Sequence, residues 1–231
     1  MLEPQRRWYR QGVPMKGEVI VDVGANVGAL SQLFADHCGR QGRVVSIEPV
    51  PKNAKAIEKR IRRAQAAKRW KLKRCAVSDR DGTVTLRVLD TAWGTNSAVT
   101  SRADDEGVET RLEVPCYRLS RLVPDATVVK LDVEGHEYRI LPDTLAALAG
   151  QVQCYALELH AVTDHPLETT LRALADHGYR LVTAGHRRDE PAVWRDVPIE
   201  PTLTWADVPG SAQPRDGVPG LFKMLHVLAR R

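Results

Sequence analysis

The chain has few cysteines, few aromatic residues and no long apolar run. Of its 231 residues, four are cysteines and 5% are aromatic. The cysteines form no C-x-x-C pair, so we expect buried reduced thiols rather than a metal cluster or disulfides. No apolar run is long enough to cross a bilayer, and the polar residues 1–17 lack the apolar core of a secretory signal. These absences predict a cytoplasmic protein without a membrane partner.

The turn after the first predicted strand lacks the glycines that a dinucleotide cofactor requires. Residues 19–28 read VIVDVGANVG, a buried strand that runs into a glycine turn. The dinucleotide fingerprint has glycine at its first, third and sixth positions, so that a pyrophosphate can lie against bare backbone. Counted from Gly24, the third position is Asn26 and the sixth is Ala29. Asp22 at the strand end would also repel a pyrophosphate, so a dehydrogenase is disfavoured.

The same turn suits a cofactor that is cationic and has no phosphates. A sulfonium cofactor carries an amino-acid tail, for which Asp22 and the backbone of Gly24, Asn26 and Gly28 are suitable partners. The second predicted strand ends at Glu48, whose carboxylate can accept hydrogen bonds from both hydroxyls of a ribose. These residues predict a binding site for S-adenosyl-L-methionine (SAM).

Ser78 and Asp79 follow the third predicted strand and are candidate contacts for the adenine of the cofactor. An ordinary turn is an equally good interpretation of these two residues, since serine and aspartate are common in turns.

Predicted strands and helices alternate along most of the chain. The strands have the continuous apolar pattern of a sheet covered on both faces. They are residues 18–23, 43–47, 70–77, 127–131, 154–159 and 179–183, and the helices are residues 29–38, 52–68 and 167–177. A last strand at residues 221–228 is expected to pair antiparallel with residues 179–183. This pattern predicts an α/β fold: a doubly wound, Rossmann-like sheet that is mostly parallel and ends in an antiparallel hairpin.

We expect an N-terminal arm, residues 1–17, followed by one domain, residues 18–231. Trp8 and Tyr9 could pack the arm onto the domain. The domain contains extra strands within about residues 83–116, where residues 83–88 and 109–115 should pair with a polar loop, 90–107, between them. It also contains a proline-rich loop at about residues 185–220. Pro142 is expected near the start of a new helix.

Polar side chains gather at the ends of the fourth and fifth predicted strands. Asp132 and Glu134 follow one strand, and Glu158 and His160 end the next. Because neighbouring strands lie about 5 Å apart, these four side chains can surround one small volume. Helix capping or pairing with basic neighbours is the alternative, but burying three carboxylates and an imidazole for stability alone is costly. The group predicts an active site beside the cofactor.

Several segments resemble the FkbM family of SAM-dependent methyltransferases. They are DVGANVG at 22–28, SIEP at 46–49, AVSD at 76–79, KLDVEGHE at 130–137 and ELH at 158–160. The resemblance covers about residues 19–182. It implies a class I methyltransferase fold with SAM as methyl donor. It also implies O-methylation of sugars, polyketides and other natural products, as expected in natural product biosynthesis.

A hydroxyl acceptor needs a base, because a hydroxyl is a poor nucleophile until it loses its proton. His160 is the predicted base, since imidazole titrates near neutral pH, and Glu134 is the competing candidate. Glu158 could orient His160 or hold the acceptor, and Asp132 should border the cofactor and position the nucleophile. A divalent metal held by Asp132, Glu158 and His160 is an alternative. No dedicated metal motif is present, so the metal version is not favoured.

Nucleic acid is the main alternative partner. Residues 52–74 contain eleven lysines or arginines against one acid, Glu58. Such a patch could bind RNA, as in a nucleic-acid-binding protein or an RNA ribose methyltransferase. However, Trp70 is the only aromatic residue in the segment, and base stacking relies on aromatics. We therefore expect a solvated helix face and a small hydroxylated molecule as partner. A homo-oligomer is compatible with the sequence.

Overall fold

The computed structural model describes residues 3–91, 94–98, 110–161, 165–184, 194–197 and 224–231. The helices are α1 (Glu3–Gly12), α2 (Ala29–His37), α3 (Pro51–Arg63), α4 (Leu119–Leu122), α5 (Glu137–Ala147) and α6 (Leu167–Asp176). The strands are β1 (Val19–Val23), β2 (Arg43–Ile47), β3 (Trp70–Lys73), β4 (Ala76–Val77), β5 (Gly82–Thr91), β6 (Gly94–Ala98), β7 (Thr110–Tyr117), β8 (Val128–Leu131), β9 (Cys154–His160), β10 (Arg180–Ala184), β11 (Trp194–Asp196) and β12 (Met224–Arg230). Across these ranges, no helix combines the length and apolar character needed to cross a membrane.

Eight strands form one sheet in the order β11-β10-β12-β9-β8-β1-β2-β3. The five strands from β9 to β3 are parallel, and β12, β10 and β11 add antiparallel pairings at the other end. This arrangement confirms the predicted fold class. The chain passes from β1 outward to β3 and then returns to β8 on the other side of β1. Such a reversal opens a crevice at the carboxyl ends of β1 and β8.

The last strand lies inside the sheet rather than at its edge. It pairs antiparallel with β10, as predicted, with Val182 opposite Leu228. Its other side pairs with β9, where His226 lies opposite Glu158. The sequence analysis does not anticipate this second pairing. The short strand β11 also falls within the predicted proline-rich loop, of which the structure describes only residues 194–197.

A smaller sheet has the order β4-β7-β5-β6. It confirms the predicted pairing of the extra strands, with Val84 opposite Val114. The predicted strand 70–77 is divided, because β3 joins the large sheet whereas β4 joins the small one. The prediction of a polar loop at 90–107 is wrong for its first part, because the end of β5 pairs there with β6. Backbone hydrogen bonds between the two paired strands satisfy the N–H and C=O groups there, although the sequence is polar. Residues 99–109 lie outside the described ranges.

Two helices differ from the prediction. α3 ends at Arg63, before the predicted residue 68, and Gln65 then adopts a left-handed backbone with φ of 49°. Pro142 lies inside α5 rather than near the start of a new helix. An interior proline costs about 3 kcal/mol. The burial of Leu141 and Leu145 in the same helix offsets this cost, since each such side chain contributes about 1.5–3 kcal/mol.

Both faces of the large sheet are covered, and each face has its own core. Along β1, Ile20 belongs to the core that also contains residues of α1 and α2, whereas Val21 belongs to the core that contains residues of α5 and α6. α1 is anchored by Trp8 and Tyr9, which are buried. The Tyr9 ring packs edge-on against Phe34 of α2 at 5.8 Å. The boundary of the arm at residue 17 stays a prediction.

We expect Gly24→Ala to destabilise the fold more than Gly17→Ala. Both glycines have a left-handed backbone, which costs a residue with a side chain roughly 1–2 kcal/mol. A Cβ at Gly24 would also lie 1.9 Å from the carbonyl oxygen of Asp132, whereas a Cβ at Gly17 would meet no atom within 4 Å. This clash should add about 1–3 kcal/mol. Urea unfolding of the two variants measures the difference, and equal losses of unfolding free energy would contradict the close approach of β1 and β8.

Candidate functional site

An open cleft lies where β1, β2 and β8 end. Its empty volume is about 620 Å³, which includes space open to solvent. Four of the predicted cofactor residues line it: Gly24, Asn26, Glu48 and Asp132. The lining also includes an apolar group, made of Ile47, Cys75, Ala76, Val77 and Leu86.

The glycine turn is held against the end of β2. The backbone N–H groups of Gly24 and Ala25 both donate to the carbonyl of Ile47, at 3.1 and 3.2 Å. Asn26 has a left-handed backbone with φ of 50°. Gly28 is the N-cap of α2 and also has a left-handed backbone, and a Cβ there would lie 2.8 Å from Ile57. The turn therefore presents a fixed backbone to the cleft at Gly24 and Asn26, whereas Gly28 does not line it. Contact of these residues with a cofactor stays a prediction.

Glu48 lies at the cleft with its carboxylate almost fully buried. Its Oε2 accepts from the Asn26 N–H at 2.8 Å, and its Oε1 accepts from the Val50 N–H at 2.9 Å. Burial raises the pKa of Glu48 to about 7, although these two hydrogen bonds and one from Asn53 oppose the change. An ionised carboxylate has about four acceptor positions, so capacity remains for a ligand hydroxyl.

Asp22 does not line the cleft. It is fully buried, and its Oδ2 accepts a hydrogen bond of 2.5 Å from Ser31. A chain of hydrogen bonds continues behind it, because Ser46 donates to Ser31 and the Trp70 indole donates to Ser46, each at 2.7 Å. The predicted direct contact of Asp22 with the cofactor tail is therefore corrected: Asp22 lies one layer beneath the turn and supports it.

Lys130 lies between Asp22 and the cleft. The sequence predicts no role for it beyond pairing with a carboxylate. Its Nζ lies 3.2 Å from Asp22 Oδ1 and 3.3 Å from Asp132 Oδ2. It also donates to the carbonyls of Val23 and Gly24. Burial alone would lower the pKa of Lys130, but the two aspartates raise it above its ordinary value. A permanent ammonium therefore joins the ends of β1 and β8.

His160 is buried among carboxylates. Its Nδ1 lies 3.0 Å from Glu137 Oε1, and its Nε2 lies 3.6 Å from Glu134 and 3.9 Å from Glu158. Burial alone would lower the pKa of His160, but the hydrogen bond to Glu137 and the surrounding negative charges raise it to about 10. A protonated imidazole has no lone pair to accept a proton. The predicted general-base role of His160 therefore does not fit its charge state at neutral pH.

Glu137 is a residue of this site that the sequence analysis misses. Its side chain is fully buried, and its Oε1 accepts from both the Val133 N–H, at 2.8 Å, and His160. Glu137 therefore fixes both the turn after β8 and the orientation of the imidazole. Glu137 belongs to the quoted motif at residues 130–137, but only the fold brings it next to β9.

Glu158 has a histidine partner that the sequence analysis also misses. Its Oε2 lies 2.9 Å from His226 Nε2. Burial alone would raise the pKa of Glu158, but His226, followed by His160 and Lys130, lowers it to about 2. Glu158 is therefore ionised and suited to accept hydrogen bonds, and it is a poor base.

Asp132 and Glu134 lie half-buried at the cleft. Burial and the charge of Glu158 raise the pKa of Asp132 to about 7, against the opposing effect of Lys130 and His160. Glu134 has a left-handed backbone with φ of 54°, which is uncommon for a residue with a long side chain and is found often at functional sites. The structure therefore brings together all four residues predicted for the active site.

Ser78 and Asp79 do not line the cleft, but they contact it through His136. The Ser78 hydroxyl donates to Asp79 Oδ1 at 2.9 Å and lies 3.1 Å from His136 Nε2. The hydroxyl proton goes to Asp79, so His136 must be the donor to Ser78. Burial, followed by the charge of Arg139, lowers the pKa of His136. His136 is therefore a neutral polar group on the cleft wall.

The basic residues of α3 are mostly exposed, as expected for a solvated face. They include Lys55, Lys59, Arg62 and Arg63. Three arginines of the segment instead contact the protein: Arg60 and Arg69 donate to backbone carbonyls, and Arg74 pairs with Glu58.

Asp132, Glu158 and His160, the three candidate metal ligands, offer atoms that all lie within 4.8 Å of one another. Two carboxylates and an imidazole suit a divalent cation. Metal binding at these atoms would displace the proton that the surrounding carboxylates favour on His160. The geometry therefore keeps the metal version as the alternative to direct base catalysis.

Comparison with known proteins identifies the family. The Methyltransferase FkbM domain matches residues 22–181, which is more than half of the chain. No curated protein matches the chain.

Several solved structures share the fold. A methyltransferase FkbM from Methylobacillus flagellatus is 18% identical, with a TM-score of 0.50, and the match covers 84% of this chain and 49% of that one. The C-terminal domain of precorrin-6Y C5,15-methyltransferase from Rhodobacter capsulatus is 17% identical, with a TM-score of 0.50 and coverage of 99% and 89%. A Streptococcus pneumoniae protein proposed to be a tRNA (m1A22) methyltransferase, solved with SAM, is 12% identical, with a TM-score of 0.50 and coverage of 100% and 73%.

At these identities the structural similarity bears on the fold alone, which is that of class I methyltransferases. The sequence match over residues 22–181 goes further, and with the strand-end site described above it shows that this chain belongs to the FkbM family of methyltransferases.

Proposed function

We propose that the chain is a SAM-dependent O-methyltransferase that acts on a hydroxyl of a small metabolite, such as a sugar or a polyketide-type natural product. The supporting observation is that one cleft contains both kinds of group that this reaction needs. Asn26 and Glu48 lie on its β1–β2 side, and Asp132 and Glu134 lie at the end of β8. Family membership and the SAM-bound structure with the same fold support the choice of cofactor.

Different parts of the cleft would bind different parts of SAM. Glu48 would accept from the ribose hydroxyls, and the backbone of the Gly24–Gly28 turn would bind the amino-acid tail. The apolar lining, with His136 and its partner Ser78 beside it, would contact adenine. Asp22 and Lys130 would support the turn from beneath.

Asp132 is the base we propose for the acceptor hydroxyl. The bound cofactor supplies a methyl group on a cationic sulfur, which leaves with the electron pair of the broken carbon–sulfur bond. Asp132, with a pKa of about 7, would take the hydroxyl proton as the oxygen bonds to the methyl carbon. Glu158 would accept a hydrogen bond from the acceptor, and the His160 imidazolium would donate one. Glu134 remains the competing base.

An RNA substrate is the alternative. The exposed basic residues of α3 and the similarity to the Streptococcus protein are in its favour. Against it, four carboxylates surround His160 at the proposed acceptor end: Asp132, Glu134, Glu137 and Glu158. Negative charge there would repel a phosphodiester backbone.

The direct test is transfer of labelled methyl groups from SAM to a panel of acceptors. The panel would contain neutral sugars, polyketide aglycones and unmodified tRNA. Label on a hydroxyl of a sugar or aglycone is the expected result. Label on RNA alone would overturn the small-molecule proposal. Absence of label on every member of the panel would contradict all of the proposed acceptors.

Glu48→Gln should weaken SAM binding by about tenfold or more, because it removes a charged acceptor from the ribose site. In the wild type, SAM affinity should fall as the pH falls through about 7, the pKa of Glu48. Only the ionised form accepts from both hydroxyls, so binding at pH 6 should be about tenfold weaker than at pH 8. Calorimetry measures both effects. A variant with the same pH dependence as the wild type would contradict the ribose assignment.

Asp132→Asn should slow methyl transfer by about 10²–10⁴-fold, because it removes the base. Glu134→Gln is the matched control and should have a smaller effect. The wild-type rate should rise with pH through about 7, since Asp132 must be ionised to accept a proton. Single-turnover rates with labelled SAM measure these effects. A larger loss in Glu134→Gln would transfer the base role to that residue.

Treatment with a chelator should leave methyl transfer intact, because the proposed mechanism uses no metal. The measurement compares rates in EDTA with rates after dialysis into magnesium. A loss of activity in EDTA that magnesium restores would instead favour a cation held by Asp132, Glu158 and His160.

A further inference from the structure

Two elements outside the matched family domain reach the proposed acceptor end of the site. The family match covers residues 22–181. α1 precedes this range and contains Trp8, and β12 follows it and contains His226. Both side chains are buried, and the proposed mechanism does not use either of them.

His226 is held opposite Glu158 by the register of the sheet. The two residues are direct partners in the antiparallel pairing of β9 with β12. Their side chains meet at 2.9 Å between His226 Nε2 and Glu158 Oε2. An ionised carboxylate can only accept hydrogen bonds, so His226 Nε2 must be the donor. The pair is largely buried, with the His226 side chain 4% exposed and the Glu158 side chain 16% exposed.

Trp8 packs on the far side of this pair. Its ring lies 5.5 Å from the His226 ring at an angle of 70°, an edge-to-face contact. Trp8 also packs against Tyr9, with ring centroids 4.5 Å apart. Burial raises the pKa of Tyr9, and the charges of Lys130 and Glu158 also affect it, so α1 lies close to the charged cluster. The hydrogen bond to Glu158 and the contact with Trp8 therefore hold the His226 ring from two sides.

Glu158 would have another partner without His226. Its Oε1 lies 3.9 Å from Nε2 of the His160 imidazolium, which is longer than a hydrogen bond. A small side-chain rotation would close this gap and pair the two groups directly. In the structure His226 instead binds Glu158 Oε2, so Glu158 Oε1 and the His160 Nε2–H are not paired with each other.

We propose that His226, supported by Trp8, is a positioning residue that keeps Glu158 apart from His160, so that both can bind the acceptor. The proposal rests on the proposed methyl transfer to a hydroxyl. It assigns the support of the acceptor site to residues outside the matched range 22–181.

The test compares His226→Phe, which removes the donor but keeps a ring for Trp8, with His226→Gln, which keeps an N–H donor. His177→Phe is the control for loss of a histidine, since His177 Nδ1 contacts the backbone carbonyl of Ala173 on α6. Crystal structures should show Glu158 within about 3 Å of His160 Nε2 in His226→Phe. In His226→Gln and His177→Phe the separation should remain as in the wild type.

The kinetic measurement uses the acceptor identified in the labelled-methyl screen. KM for that acceptor should rise about tenfold in His226→Phe and change little in His226→Gln, since a hydrogen bond to a charged group is lost only in the first. SAM affinity, measured by calorimetry, should be unchanged in both. A KM that rises equally in both variants, or a Glu158 that does not move in His226→Phe, would overturn the proposal.

Trp8→Leu keeps the proposal testable if His226→Phe does not fold. It should also raise KM for the acceptor without changing SAM affinity, and an unchanged KM would remove Trp8 from the proposal. Failure of the proposed function is recognised separately, because the labelled-methyl screen with the wild type would then give no label on a small-molecule hydroxyl. The position of Glu158 in the crystal structures would still decide the role of His226.

Discussion

The Lys130 ammonium, held between Asp22 and Asp132, is the interaction on which the site depends. β1 and β8 are neighbours in the sheet, and each ends near a carboxylate. Two buried carboxylates would repel each other strongly without a cation between them. Lys130 also donates to the carbonyl of Gly24, so the same ammonium holds the first residue of the glycine turn. The position of the turn therefore depends on a charge that is itself out of contact with solvent.

The carboxylates at the ends of β2, β8 and β9 differ in charge state because burial raises the pKa of each, whereas their charged neighbours differ. For Glu48 and Asp132 the effect of burial outweighs that of the hydrogen bonds and cations around them, so their pKa values rise to about 7. Glu158 is buried beside His226, so its pKa falls to about 2. Carboxylates of similar intrinsic acidity can thus have separate tasks: a base that titrates near neutral pH, and an acceptor of hydrogen bonds that stays ionised. Such divergence is common at functional sites.

Much of the fold and part of the site can be predicted from the sequence. The apolar run of β2 is sufficient to give its bounds, Arg43–Ile47. The strand-end residues Glu48 and Asp132 lie at the edge of the sheet where the cleft opens. The charge state of His160 cannot be read in this way, because Glu137 contacts it only after α5 packs beside β9. His226 is missed for a similar reason: its pairing with β9 joins strands far apart in the chain.

Calorimetric titration of the folded protein with SAM, and separately with NAD, tests the central claim most directly. The account predicts saturable binding of SAM at one site per chain and no heat from NAD, because the turn at Gly24 lacks the glycines that a pyrophosphate requires and has Asp22 beneath it. A folded sample that binds NAD, or that does not bind SAM, would contradict the assignment of the cleft to this cofactor.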